Sequence, residues 1–137
     1  MHRSGINKMK WIAAGLLAAF FMTTTVGCAG DQIAYRGPFI DAKPTGGVYR
    51  LTCYAPTAGW EFEIDREVFI PATSREVYVT IRRPDPNLIH AQMIVEHMLP
   101  TKLNSLGPLF VYARVVDAYQ PVTKKDPEHV PVQMFRP

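Results

Sequence analysis

The chain has 137 residues, 47% of them hydrophobic, with 15 Lys and Arg against 12 Asp and Glu. Its net charge of +3 comes from Arg3, Lys8 and Lys10 near the start; the rest of the chain balances twelve bases with twelve acids, which excludes a general attraction to nucleic-acid phosphate. Two cysteines exclude a disulfide-rich scaffold, and the length suits one domain with its own core rather than two.

The first ten residues are basic and lack acids, and Trp11 to Met22 is an apolar run with no charged side chain. A membrane-spanning helix needs about 20 apolar residues, so this run is too short to cross. With the small residues that follow, the pattern is that of a secretory signal peptide over residues 1–27, predicted as a helix.

Thr25-Val26-Gly27-Cys28 resembles the lipobox of bacterial lipoproteins, with Thr25 where that family favours leucine. The resemblance implies a cut before Cys28, a diacylglycerol on its sulfur and an acylated amine. The chain would then be held to the membrane by lipid at Cys28, and several acyl chains anchor stably where one does not. Ala29 follows, in place of the aspartate that holds such proteins at the inner membrane. The resemblance therefore implies an outer-membrane protein facing the periplasm in a Gram-negative host.

Residues 28–47 read as a lipidated tether, broken by Gly37-Pro38, Pro44 and Gly46-Gly47. Residues 48–120 carry the period of two that marks strands. In Val48 to Ala55, alternation sends Tyr49, Leu51, Cys53 and Ala55 to one face, and Cys53 is expected as a small core residue without a disulfide partner. After the turn Pro56 to Gly59, Trp60, Phe62 and Ile64 face the core, opposite Glu61, Glu63 and Asp65. The next strand turns Val77, Val79 and Ile81 inward, and Tyr78, Thr80 and Arg82 outward. Antiparallel pairing would set Glu61 beside Arg82 and Glu63 beside Thr80, worth about 0.2–1 kcal/mol per pair.

Pro84 to Asn87 is a turn, Leu88 to Leu99 is expected as a strand, and Leu103 to Pro108 as a loop. Leu109 to Tyr119 is the last strand of the body, with Val111, Ala113 and Val115 inward. Residues 121–137 form a proline-rich tail, with a short edge strand over Val132 to Phe135. The expected fold is all-β: a small antiparallel β-sandwich of immunoglobulin or fibronectin layout, with a small open barrel as alternative.

His90 and His97 are an odd number of residues apart, so one strand sends them to opposite faces, and no metal site is expected from them. Glu61, Glu63 and Asp65 read as a solvated acidic row. Ser74 and Ser105 lack the Gly-x-Ser-x-Gly setting of a nucleophile elbow, and no glycine loop for phosphate is present. No cofactor and no catalytic residue is assigned. Tyrosine and arginine are enriched where proteins meet. Tyr78, Thr80, Arg82 and Arg83, near the Pro84 turn, are the candidate partner surface. The expected role is non-enzymatic binding or scaffolding of an envelope protein. A small periplasmic enzyme or a hydrolase inhibitor is the alternative.

Overall fold

The computed structural model describes residues 34–119, 121 and 128–137. The expected signal peptide, Cys28 and the first part of the tether lie outside the described residues. Among the described residues, seven strands follow in order: β1 (Phe39–Thr45), β2 (Val48–Ala55), β3 (Glu61–Ile70), β4 (Ser74–Arg82), β5 (Val95–Asn104), β6 (Leu109–Val116) and β7 (Val130–Phe135). They form two sheets, β1-β2-β5 and β3-β4-β6-β7.

One core joins the inner faces of both sheets. From the smaller sheet come Ile40, Ala42, Tyr49, Leu51, Cys53 and Leu103, and from the larger come Val77, Val79, Ile81, Leu109, Val111 and Ala113. β2 and β4 supply the most regular alternation, and every inward residue of Tyr49, Leu51, Cys53, Ala55, Val77, Val79 and Ile81 is fully buried. Trp60, Phe62, Ile64 and Val115 lie half-buried against this core. The register Glu61↔Arg82 and Glu63↔Thr80 is the one the alternation implies.

Four features depart from the sequence reading. The expected tether contains β1, which pairs with β2 through a two-residue turn at Gly46-Gly47. Both glycines have positive φ, 61° and 82°, the conformation that two-residue hairpins require and that side-chain-bearing residues resist. The sheets are not wholly antiparallel, because β6 runs parallel to β4. The chain leaves β4, crosses to the other sheet as β5, and returns beside β4 in the same direction.

The expected strand at Leu88 to Leu99 starts only at Val95 and continues to Asn104, taking in the first two residues of the expected loop. The residues before Val95 instead carry the chain across one end of the sandwich. The tail's strand, β7, begins at Val130 rather than Val132 and pairs with β6 at the sheet edge. The strand prolines Pro44, Pro100 and Pro131 lie in β1, β5 and β7, each at a sheet edge. Edge strands are where a sheet tolerates proline, and its missing N–H discourages edge-to-edge pairing.

Candidate interaction face

The outer face of the larger sheet gathers polar and aromatic side chains around β4. Tyr78 and Tyr112 are register partners on the parallel strands, and their rings stack with centroids 4.9 Å apart and planes 11° from parallel. The Arg66 guanidinium lies 3.8 Å from the centroid of the Tyr78 ring, and the His129 ring meets Tyr78 edge-on at 5.3 Å. The Tyr78 hydroxyl donates to Glu76 Oε2 at 2.8 Å. Burial first, and then this bond to Glu76, hold the Tyr78 phenol above its ordinary pKa.

A bulge in β3 makes this arrangement. The register shifts between Ile64 and Arg66, so that Arg66 rather than Asp65 opposes Tyr78. Asp65 is the extra residue. Regular pleating would send Arg66 toward the core; the bulge lets Asp65 and Arg66 both face outward.

Asp65 Oδ2 then becomes a hub. It accepts the Thr80 hydroxyl at 2.5 Å and lies 2.7 Å from His129 Nε2 and 3.5 Å from Arg114 Nη2. Arg114 Nε also donates to the Thr80 hydroxyl oxygen at 2.7 Å. One carboxylate thus ties together β3, β4, β6 and the residue that precedes β7. Thr80 itself is 4% exposed, and its hydroxyl both donates and accepts within the network. Charge-assisted bonds of this kind are the stronger class. The row read as a solvated acidic face is therefore mixed: all three residues face outward, but the Asp65 side chain is only 23% exposed against 76% for Glu61 and organises the network.

The four expected partner-surface residues separate. Tyr78 and Thr80 sit within the sheet face. Arg82, at the end of β4, lies 3.7 Å from Glu61 and donates to the Asp117 carbonyl at 3.1 Å. Arg83 stands beyond the strand, 3.8 Å from Asp117. There it lines a recess of about 570 Å³ with Glu61, Asp85, Leu88, His90 and Tyr119. Sequence reasoning missed Arg66, Tyr112, Arg114 and His129. Alternation alone marks Tyr112 and Arg114 as outward once Val111 and Ala113 are inward.

The remaining candidates are structural. The Cys53 thiol is fully buried, and burial pushes its pKa up to about 12. His97 turns inward, its ring 4.8 Å from that of Phe62, with Nε2 buried and without a hydrogen-bond partner. The His90 ring Nε2 meets the Asp85 carbonyl at 2.9 Å. Among the described residues, no group of three or more His, Cys, Asp and Glu is arranged to hold a metal ion.

Comparison with known proteins finds no match: no family model fits the sequence, and no curated protein or solved structure is similar to it.

Proposed function

We propose that this chain is a lipid-anchored envelope protein, held by acyl chains at Cys28, that offers its four-stranded sheet face to a protein partner. The observation that carries the binding reading is the Tyr78–Tyr112 stack with Arg66 over it. Stacked aromatics capped by a guanidinium give a rigid, amphipathic patch that loses little side-chain freedom on binding. Tyrosine and arginine of this kind supply hot spots in protein contacts. The neutral balance of residues 28–137 supports a protein partner over nucleic acid. The reading needs no cofactor and no catalytic residue.

The lipid anchor and the outer-membrane, periplasm-facing location are supported by the leader, by Cys28 and by Ala29. The sandwich is immunoglobulin-like or fibronectin-like in its layering alone, since those layouts are antiparallel and the β4–β6 pair is not.

The test is photo-crosslinking in native membranes from a reactive residue at Tyr112, compared with the same residue at Thr52 on the other sheet. One stoichiometric partner crosslinked from position 112, absent from 52 and lost in Arg66→Glu with the fold intact, is the expected result. Equal labelling from both faces overturns the reading.

A further inference from the structure

The connections at one end of the sandwich differ from those at the other. Chain direction collects four segments at this end: the entry from Ala34 to Pro38, the Pro56–Gly59 turn, the crossing from Arg83 to Ile94, and Asp117 to Tyr119. The stretch Asn87 to Ile94 has no acid, lysine or arginine. Within it Leu88, Ile89, Met93 and Ile94 are 60%, 104%, 59% and 71% exposed. Single exposed apolar residues are ordinary on a folded surface; four in one uncharged loop mark a contact site.

This loop is braced. Asp85 Oδ1 accepts the Asn87 amide at 2.9 Å, and the Asp85 carbonyl accepts from Leu88 N at 3.2 Å. The Ala91 carbonyl accepts from Ala58 N at 3.0 Å. The His90 ring packs onto Gly59 so closely that a Cβ there would lie 2.3 Å from Nδ1. The apolar tips are held out by a fixed backbone, so burying them orders little that is not already ordered. Arg36, Trp60 and Arg83 line the recess beside Leu88 and Ile89. An indole and guanidinium groups suit the depth of lipid headgroups. Of the neighbouring acids, Glu61 and Asp117 are matched by Arg82 and Arg83, which limits repulsion from an anionic surface, while Asp85 keeps its charge and accepts from the Tyr119 hydroxyl and the Asn87 amide.

The path of the chain selects the occupant. Five residues lie between Cys28 and Ala34, six steps of chain with a reach of about 20 Å at most. Ala34, Tyr35 and Arg36 lie beside Arg83 at this same end. The opposite end is a further strand length away, about 25–30 Å for strands of this kind. An anchor at Cys28 therefore brings the apolar loop to the leaflet first, and the tether makes its insertion intramolecular, so that weak partitioning suffices. We propose that this end of the domain rests on the lipid surface with Leu88, Ile89, Met93 and Ile94 in the headgroup region. The proposal rests on the anchor reading, and it leaves the four-stranded sheet face clear of the membrane for a partner.

The test uses the full chain, purified in detergent from its own membranes. It is reconstituted in phosphatidylethanolamine–phosphatidylglycerol vesicles with brominated acyl chains. Ile89→Trp and Leu106→Trp, both at exposed positions, are compared with the parent, and the mass of the mature N-terminus is read in parallel. The expected result is an acylated Cys28 and a larger loss of tryptophan fluorescence from Ile89→Trp than from Leu106→Trp. Acylated Cys28 with equal loss from both overturns the membrane contact and spares the anchor. A bare Cys28 overturns the anchor; quenching of Ile89→Trp then supports lipid contact by the loop alone, and its absence overturns that too. A protein crosslinked at position 89 in native membranes, with no lipid quenching, assigns the loop to a protein and overturns the proposal.

Discussion

Thr80 donates its hydroxyl to Asp65, although its ladder partner is Glu63. The bulge makes the connection, and Arg114 completes it from β6. Thr80→Val keeps the shape of the side chain and leaves Arg114 Nε without this acceptor. Losing bonds between charged and neutral groups at so buried a position is expected to cost about 1–3 kcal/mol. Urea denaturation of the purified protein measures it as a lower midpoint with unchanged slope. Asp65→Ala should cost more than Thr80→Val. In a double-mutant cycle with Arg114→Ala, the two losses should fall short of adding, because they share one network. Strict additivity would contradict the hub.

The difference between Asp65 and its row-mates shows what was legible. Glu61, Glu63 and Asp65 have the same spacing and the same chemistry. Alternation placed the first two correctly. It placed the third outward as well, but a single inserted residue changes which face the following side chains reach, so neither the outward turn of Arg66 nor the bonding of Asp65 to Thr80 could be read from it. The inward residues of β2 and β4 were readable since each strand has one wet side and one dry side. β1 was hidden by Pro44 and two glycines, residues that serve an edge strand and a tight hairpin as well as a tether. Tyr112 was legible as outward but not as the neighbour of Tyr78. That contact depends on β6 returning parallel to β4 after β5 has crossed to the other sheet. No local pattern in either strand encodes it, so half of the aromatic stack was found and its partner was not.

Tyr49 links the two sheets at the end away from the apolar loop. Its ring is fully buried, and its hydroxyl donates to the Gly107 carbonyl at 2.7 Å. A register shift in the β2–β5 ladder falls at this residue, and the Thr101 hydroxyl takes up the Tyr49 carbonyl at 2.7 Å. Tyr49→Phe preserves the packing and leaves the buried Gly107 carbonyl without this donor, at an expected cost of about 1–3 kcal/mol. Chemical denaturation should show a lower midpoint with the native far-UV spectrum retained. A midpoint equal to the parent's would mean that the hydroxyl contributes nothing to the junction.

Ala72 occupies a conformation suited to glycine. In the turn Pro71–Thr73 between β3 and β4, its φ is 61°, the left-handed region that costs a residue with a Cβ about 1–2 kcal/mol. Glycine removes that cost and adds unfolded-chain entropy of about 0.4–1 kcal/mol. Ala72→Gly should therefore stabilise the protein by about 0.5–1 kcal/mol. The position is exposed, so the change disturbs no packing. Thermal unfolding of parent and variant side by side gives the sign directly, and a lower melting temperature for the variant would contradict the strain.

Cys53 is expected to set the onset of alkaline destabilisation. Burial raises its thiol from 9.0 to about 12. Below pH 9 both folded and unfolded chains keep the proton, and the group contributes no pH dependence. Between about pH 9 and 12 the unfolded chain releases it and the folded chain does not. Stability then falls with rising pH, approaching about 1.4 kcal/mol for each pH unit. Burial also raises Tyr35 and Tyr49 above the ordinary phenol value of 10.0, which acts in the same sense from pH 10 upward. Urea midpoints measured from pH 7 to 11 should stay level to about pH 9 and then decline. Cys53→Ala should delay the onset toward pH 10, whatever its effect on stability at neutral pH, because only the phenols then remain. Iodoacetamide at pH 8 tests the same burial from the kinetic side, since the thiolate is the attacking species. Cys53 should alkylate in urea and resist it in the folded protein, and rapid native labelling would contradict a thiol sealed between the sheets.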